Sequence, residues 1–437
     1  MESSERKMYT VVTNVCRWLL GLVLMVSGFV KAIDPVGSMY TLQEYADAFS
    51  AGTFSDGFMT FAAMSQSALE FLFGVFLFMG IYRRFSACIA PLVMLFFTAL
   101  TFLIYWEDKI SDCGCFGEAF TLSNGETLLK NIFLLLLSVV VFLGRRRFVY
   151  CISSHSRWMV TIFAIFYISL AEAMSFIHLP VLDFSLYAAG NDLRRMTEVP
   201  AGEYRIVDVY ELDGELREYH EGEQPDTLWN FVESRSEFVG EPALPLINDF
   251  AILDWEEDFD VVPDILADSG YVCVIAIENV EKASVSRVDK INELYDYCLE
   301  NDIPFYATTA SDGEVLELWR KRTGAEYPIY WTDEAVLRRM IRANPGLVLL
   351  KNGLIVGKWN VADLPAVELY AASSTGMPDG VLTYVEKMRG LGFWIPMLIV
   401  PLLFIAVVDI LACHGKNRGK KETETNVRPH ADIESRS

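Results

Sequence analysis

The sequence predicts an α-helical membrane bundle joined to a separate α/β domain on the outer side of the membrane. Three observations support this fold class. Six apolar runs each approach the roughly 20 residues that a helix needs to cross a bilayer. Clusters of arginine and lysine flank these runs on one side only. Between the fifth and the sixth run, short apolar segments alternate with segments of helical periodicity, which is typical of an α/β domain.

The six apolar runs explain why 52% of the 437 residues are hydrophobic. Runs such as Leu92–Trp106 and Ile132–Leu143 are too long and unbroken for the core helices of a soluble protein. The first four spans make a membrane domain at residues 1–150, the fifth lies at 151–180 and the sixth at 392–413. The spans are expected near Val11–Ile33, Phe58–Gly80, Phe85–Trp106, Thr127–Leu143, Arg157–His178 and Phe393–Ala412.

The basic residues predict the orientation of the bundle. Four clusters fall on the same side of the six spans, and that side is therefore expected to be cytoplasmic. The loops at about 34–57 and 107–126, and the stretch from about 179 to 391, are then outside. The clusters are Arg6 and Lys7, Arg83 and Arg84, Arg145 to Arg147 with Arg157, and Lys416, Arg418, Lys420 and Lys421.

The charge of the chain is concentrated in its outer part. The formal net charge is −22, and acidic residues outnumber basic ones between Asp183 and Arg389. Such a surface is repelled by nucleic acid and by anionic lipid headgroups, so a nucleic-acid partner is excluded. The polar stretch 414–437 is predicted to be a disordered cytoplasmic tail.

A short loop between the third and fourth spans carries the strongest chemical signal, in the run from Asp112 to Glu118. Cys113 and Cys115 are separated only by Gly114, so a disulfide between them would close a very small ring. Such a ring is strained and easily reduced, and closing it removes little entropy from the unfolded chain. Cys113 and Cys115 are therefore predicted to be a catalytic redox pair facing an oxidising compartment.

Two other uses of this cysteine pair stay open. The pair could form a plain structural turn or disulfide. Two thiolates could also hold Cu(I), but the loop has no further cysteine or histidine to complete a site, so no metal centre is predicted. Asp112 and Glu118 would raise the pKa of the thiols and Lys109 would lower it, and the sequence does not decide between them.

Glu70 and Lys31 are candidate cofactor-binding residues. Glu70 lies about 12 residues into the second span, which is about 18 Å deep at about 1.5 Å per residue. A carboxyl group at that depth is costly and usually functional. Lys31 lies nearer the outer surface and could reach inward. If Glu70 and Lys31 are functional, they form a proton route or contact a quinone. The alternative is that they form a polar contact that fixes helix packing. Glu172 and His178 are expected to snorkel to the outer interface.

The outer part divides into a β-rich segment at 181–245 and an α/β domain at 246–375. The first contains a hairpin, with strands at 204–210 and 216–219 around the turn Asp213-Gly214. In the second, strands are expected at 271–277, 303–308 and 328–331, helices at 288–299, 314–322 and 333–342, and then a strand, tight turn and strand at 346–359.

This order of elements resembles the thioredoxin fold. Pro345 stands where thioredoxins place a cis-proline, directly before a hairpin of two apolar runs. In thioredoxins a Cys-x-x-Cys motif follows the first central strand, where a helix N-terminus lowers the pKa of the thiol. Here Glu278–Ala283 holds no cysteine. The resemblance therefore implies a thioredoxin-like domain without its dithiol.

The other cysteines are expected to be inert. Cys273 falls inside a strand and Cys298 on the apolar face of a helix, and both are interpreted as core thiols. A structural bond between these two stays open. The cysteines that map to the cytoplasmic side are expected to be free, because that compartment is reducing. They are Cys16, Cys88, Cys151 and Cys413.

The first four spans resemble the DoxX/MauE family of small four-helix membrane proteins, over about residues 11–147. The resemblance rests on Gly28–Pro35, Tyr40–Phe49, Leu69–Gly74 and above all on the Cys-Gly-Cys-Phe-Gly run. The full arrangement is similar to a lineage found in Gram-negative Bacteroidota, which implies a bacterial inner membrane and a periplasmic domain. MauE proteins imply a role in disulfide formation or in maturation of exported proteins. DoxX proteins imply exchange with the quinone pool.

Two main hypotheses about function, and a third weaker one, follow from these observations. The leading hypothesis is a membrane thiol–disulfide oxidoreductase that passes electrons between a periplasmic thiol-containing protein and a quinone or partner redox protein. The rival is a non-enzymatic scaffold for envelope protein maturation, with a structural Cys-x-Cys. Proton-coupled transport is a third option that depends on Glu70 alone. Membrane lipid is a partner in every case.

Overall fold

The computed structural model divides the chain into two compact units. One unit comprises Met1–Ser185 and Trp359–Ser437, and the other comprises Leu186–Lys358. We call them the membrane unit and the sheet domain. The structure describes residues 2–50, 52–107, 114, 117–119, 122–198, 204–212, 215–220, 228–238, 245–255, 259–364 and 390–426.

Six helices form the first part of the membrane unit. They are α1 (Glu2–Ala32), α2 (Pro35–Ala48), α3 (Asp56–Met79), α4 (Arg83–Glu107), α5 (Asn124–Leu143) and α6 (Arg157–Ile177). A short 3-10 helix, Gly117–Ala119, precedes α5. The outer loop at 34–57 is more ordered than the sequence predicted, because α2 occupies most of it. Pro35 starts this helix and Asp34 caps it by accepting a hydrogen bond from the amide of Gly37.

Capping residues decide where two of the spans begin. Ser55 accepts a hydrogen bond from the amide of Phe58 at the start of α3. Ser123 and Glu126 form a reciprocal capping box at the start of α5. These contacts satisfy amide groups that have no partner within the helix, so each helix starts at a defined residue.

Helices α1 and α3 pack closely because glycines face each other along their contact. A Cβ atom at Gly21 would lie 2.7 Å from the backbone nitrogen of Phe78, and one at Gly74 would lie 2.5 Å from that of Met25. Gly28 meets the backbone of Phe71 in the same way. Small residues let the two backbones approach, as in many membrane helix pairs. This contact determines which side chains of the two helices meet.

The sheet domain contains two sheets. Strands β1 (Tyr204–Leu212), β2 (Glu215–His220) and β3 (Asn230–Phe238) follow the short helix α7 (Leu193–Thr197) and form an antiparallel sheet in the order β2-β1-β3. The predicted hairpin is confirmed by the pairing of β1 with β2, while its turn, Asp213-Gly214, lies outside the described residues. The third strand was not predicted, because its alternating charged residues weaken the apolar signal of a strand.

The second sheet has five strands in the order β6-β5-β4-β7-β8. Strand β4 pairs in parallel with β5 and antiparallel with β7, and β5 pairs in parallel with β6. The Asn344–Pro345 peptide bond is cis, as predicted. In chain order the elements are α8 (Val262–Ala267), β4 (Tyr271–Ile277), α9 (Asp289–Glu300), β5 (Phe305–Thr309), α10 (Gly313–Thr323), β6 (Ile329–Trp331), α11 (Glu334–Met340), β7 (Gly346–Lys351) and β8 (Leu354–Asn360).

The last helix, α12 (Leu391–Asn426), returns to the membrane unit. With it, the described part of the chain has six helices that are long and apolar enough to cross a membrane, which confirms the predicted number. Their apolar stretches are Ser4–Ala32, Asp56–Met79, Arg83–Glu107, Asn124–Leu143, Arg157–Ile177 and Leu391–Ala412. By length and composition this is a multi-pass membrane protein.

An aromatic cluster joins four of these helices. The hydroxyl group of Tyr167 on α6 donates a hydrogen bond to the carbonyl oxygen of Trp394 on α12, at 3.1 Å. The ring of Tyr167 also stacks with Phe29 of α1 and Phe71 of α3, at centroid distances of 5.9 and 5.6 Å. The fifth and sixth spans therefore pack onto the α1–α3 pair in one hydrophobic core.

Candidate functional site

Lys31 and Glu70 form an ion pair inside the bundle. The Lys31 Nζ lies 2.7 Å from the Glu70 Oε2, and the two side chains are only 10% and 8% exposed. The pair follows from the α1–α3 packing, because Gly28 meets Phe71 and each charged residue lies within one helical turn of that contact. Two opposite charges in contact compensate the cost of burying either one alone.

Polar residues from a third helix approach this pair. A cavity of about 30 Å³ beside it has room for a single water molecule. The lining residues are Val23, Leu24, Ser27, Lys31, Glu70, Met94, Phe97, Lys130, Asn131 and Leu134. The Lys31 Nζ also lies 5.8 Å from the centroid of the Phe97 ring. The small cavity beside the pair is thus bordered by the polar side chains of Ser27, Lys130 and Asn131, and an aromatic ring lies near the ammonium group.

A larger cavity connects the Lys31 side chain with the cysteine loop. It has a volume of about 270 Å³, and Lys31, Gln66, Phe97, Gly114 and Gly117 all contribute to its wall. The remaining lining residues include Ser38, Thr41 and Tyr45 of α2. We call this space the outer cavity. Gly114, which separates the two predicted redox cysteines, therefore borders the same cavity as Lys31.

Gly114 has a left-handed backbone conformation. Its φ angle is +59°, and a Cβ atom at this position would lie 2.7 Å from the Thr41 Cγ2. Only glycine fits such a position without strain. Cys113 and Cys115 themselves lie outside the described residues.

An apolar groove between α3 and α4 lies on the other side of the Lys31–Glu70 pair. Its volume is about 860 Å³, and Gln66, Glu70, Phe96 and Phe97 contribute to its wall. We call it the lateral groove. Gln66, Phe96 and Phe97 also line the outer cavity, so the two spaces adjoin. The other lining residues are Leu24, Ala62, Ser65, Leu69, Leu72, Phe73, Phe76, Phe85, Ile89, Leu92 and Val93.

The rim of the lateral groove faces the surroundings of the bundle. Leu69 and Leu92 are 66% and 64% exposed, and Phe96 is also largely exposed. On membrane-spanning helices such side chains face lipid. A groove of this size, apolar with a few polar groups at one end, is typical of small-molecule and cofactor sites. Its lining suits a lipid-soluble ligand, and Gln66 and Glu70 are polar groups in its wall.

Glu172 is not where the sequence analysis placed it. Its side chain was expected to snorkel to the outer interface, but Glu172 is only 4% exposed. The Ser67 hydroxyl donates a hydrogen bond to the Glu172 Oε1 at 2.7 Å. The expectation was wrong because α6 packs against α3, so this face of α6 points into the bundle. The small neighbours Ala171 and Ser175, both buried, are the sequence signal that could have shown it.

His178 also has a partner that the sequence did not indicate. Its Nδ1 lies 2.8 Å from the Asp363 Oδ1. These residues are distant in the chain but belong to the same unit. The contact therefore ties the end of α6 to the segment that follows β8, and snorkelling alone does not explain this histidine.

Arg17 is a buried charge in the first span that the sequence analysis missed. Its guanidinium group donates hydrogen bonds to the carbonyl oxygens of Leu77, at 3.0 Å, and Val149, at 3.2 Å. The first of these carbonyls belongs to the last turn of α3, where carbonyl groups lack partners within the helix. Arg17 therefore has a structural role at the C-terminal end of α3.

In the sheet domain an ion pair lies at the end of the central strand β4. The Arg338 Nε lies 2.9 Å from the Glu278 Oε1, directly after β4. Cys273 and Cys298 are buried, and no disulfide joins them in this structure. In the membrane unit Cys16, Cys88 and Cys151 are also free, and the last two are exposed. Cys413 lies in α12, in the part whose side chains are not described. Within the described ranges no group of three His, Cys, Asp or Glu side chains could hold a metal ion.

Comparison with known proteins identifies the membrane part. Residues 9–144 match the family described as methylamine utilisation protein MauE. The match spans helices α1 to α5 and confirms the MauE part of the predicted resemblance. No curated protein and no solved structure matches the chain. The fold and the match together define a multi-pass membrane protein, and residues 9–144, about a third of the chain, are similar to the MauE family.

Proposed function

We propose that the protein is a membrane-bound thiol–disulfide redox protein. It exchanges electrons between extracytoplasmic thiols and a quinone or a partner redox protein through Cys113 and Cys115. The observation that carries this proposal is the outer cavity, whose wall includes both Gly114 and Lys31. Because the lateral groove adjoins this cavity, a lipid-soluble acceptor could approach the dithiol from the bilayer without crossing the aqueous phase.

The Lys31–Glu70 pair supplies the acid–base groups that the proposed reaction needs. Oxidation of two thiols to a disulfide releases two electrons and two protons, and a quinone takes up the same numbers on becoming a quinol. The Lys31 ammonium group can donate a proton toward the outer cavity and take up one of the two protons that the thiols release. The Glu70 carboxylate, 2.7 Å away, stabilises the charged form of Lys31 between these transfers. Gln66, on the wall shared by the groove and the cavity, can donate a hydrogen bond to a bound carbonyl oxygen.

The sheet domain is proposed to be a thioredoxin-like domain that binds a client protein and does no redox chemistry. Its support is the strand order β6-β5-β4-β7-β8, with a cis-proline at the start of β7. The Glu278–Arg338 ion pair stands where a working thioredoxin has its dithiol. A domain with this fold and this substitution keeps a binding surface and lacks a nucleophile.

The proposed location is the inner membrane of a bacterium, with the sheet domain and the Cys113 loop in the periplasm. The four basic clusters agree on this orientation. A membrane-impermeant thiol reagent should then label reduced Cys113 or Cys115 in intact spheroplasts and spare Cys413. Labelling of Cys413 with protection of the loop would reverse the orientation.

The proposed function is tested by the thiol state of Cys113 and Cys115 in intact cells. Rapid acid quenching and alkylation should show a disulfide when quinone is present and free thiols when quinone synthesis is blocked. Cys88, which is an exposed free thiol of the membrane unit, is the internal control and should stay reduced in both states. A disulfide that is insensitive both to quinone and to added thiol would favour the scaffold hypothesis instead.

A further inference from the structure

Two cysteines that are distant in the sequence meet in the core of the sheet domain. Cys273 lies on β4, the central strand of the five-stranded sheet, and Cys298 lies on α9. Both residues are completely buried. The two thiols share a hydrogen bond, and their sulfur atoms are 3.6 Å apart.

The environment of this pair makes it unreactive once the domain has folded. The hydrogen bond with Cys298 and burial both raise the pKa of the Cys273 thiol well above its ordinary value. Thiolate is the species that takes part in disulfide exchange. A reaction at these sulfur atoms therefore has to occur before the core closes around them.

We infer that Cys273 and Cys298 are joined by a disulfide while the sheet domain folds outside the cytoplasm. This inference rests on the periplasmic placement proposed above, and it does not depend on a redox role of Cys113 and Cys115. The sulfur atoms, now in contact, would have to approach from 3.6 Å to about 2 Å. Oxidising compartments favour the bond between neighbouring thiols.

The oxidant in this step is a disulfide of another protein. The thiolate of one cysteine attacks that disulfide and forms a mixed disulfide, releasing one thiol of the oxidant. The thiolate of the second cysteine then displaces the oxidant's other sulfur. Two cysteine thiols become one disulfide, the oxidant's disulfide becomes two thiols, and the two electrons and two protons pass to the oxidant.

The bond would have a structural purpose. It would close a loop of about 25 residues and connect the central strand to α9, so it would restrict the unfolded chain far more than a Cys113–Cys115 ring. In a domain whose dithiol site is replaced by the Glu278–Arg338 pair, no neighbouring thiol among the described residues competes for the bond.

Thiol counting on the full-length protein tests this inference. Membranes are quenched in acid, denatured and alkylated before and after reduction, and peptides are identified by mass spectrometry. We expect Cys273 and Cys298 to resist alkylation until reductant is added and to appear as one linked peptide pair. In Cys298→Ser, Cys273 should be alkylated without reductant.

Alkylation of both cysteines in the unreduced wild-type protein would overturn the inference. Thiol counting in the Cys113→Ser/Cys115→Ser variant tests the Cys273–Cys298 disulfide independently of the proposed function. A Cys273–Cys298 bond in this variant supports the inference even if the redox role of the loop fails. Free Cys273 and Cys298 beside a quinone-sensitive Cys113–Cys115 pair would reject the inference alone.

Discussion

The membrane unit and the sheet domain bury polar and nucleophilic groups in opposite ways. In the membrane unit, Lys31 and Glu70 are buried beside cavities that lead to the cysteine loop and to the lipid-facing surface. In the sheet domain, Cys273 and Cys298 are buried against each other. A buried group can take part in chemistry only if a ligand can reach it, so the reactive site is expected in the membrane unit.

The largest effect is expected at the resolving cysteine. With Cys115→Ser, a mixed disulfide between Cys113 and its partner should persist, because the thiol that normally releases the partner is missing. The complex should appear on a non-reducing gel and disappear on reduction, and thiol oxidation by the protein should be lost.

The matched control for this prediction is Cys88→Ser, which changes an exposed thiol of the membrane unit. It should form no such complex. If Cys113→Ser, Cys115→Ser and the double variant all migrate and grow like wild type under envelope oxidative stress, the structural interpretation of the loop is correct.

The second prediction concerns the sheet domain. In the full-length Cys113→Ser/Cys115→Ser variant, no reduction of insulin disulfides should remain above background, because Glu278–Ala283 has no thiol and Cys273 is completely buried. The measurement is the turbidity that follows insulin reduction. Residual activity that Cys273→Ser removes would show that the sheet domain is a redox domain after all.

The third prediction concerns the ion pair. Glu70→Met should lower the free energy of unfolding by about 3–5 kcal/mol, because it leaves the Lys31 charge buried without its partner. Lys31→Met/Glu70→Met should recover most of this loss, because two apolar residues of similar volume can replace a buried pair. Denaturant unfolding in detergent, followed by circular dichroism, measures both free energies without depending on activity.

Activity separates the two interpretations of the ion pair. If Lys31 and Glu70 move protons, the double variant should be stable and still lose quinone-dependent oxidation of Cys113 and Cys115. A double variant that is as active as wild type would show that the pair only fixes the packing of α1 on α3.

The smallest effect on stability is expected at Glu172, the second buried carboxyl group of the membrane unit. Glu172→Gln keeps a carbonyl oxygen that can accept from Ser67, so the free energy of unfolding should change by less than about 1 kcal/mol. Glu172→Leu removes this acceptor and leaves the Ser67 hydroxyl with the carbonyl oxygens of Ala63 and Met64, so it should cost about 1–2 kcal/mol. Equal losses in both variants would mean that the charge of Glu172, and not its hydrogen bond, is what the bundle requires.

Local patterns determined the elements of this protein. The six spans were visible because each must be apolar over the thickness of a bilayer. Strand β4 was recognised because a buried strand is apolar throughout. All of these signals depend on residues that are close in the chain.

Only the tertiary structure decided which of these residues meet. The 2.7 Å contact of Lys31 with Glu70 depends on glycines that let α1 approach α3, and the burial of Glu172 depends on the rotation of α6 against α3. The 3.6 Å contact of Cys273 with Cys298 depends on how α9 packs against the sheet. Contacts between distant segments depend on how the surfaces of whole helices and sheets pack together. A local sequence pattern does not indicate which distant residue a side chain will contact.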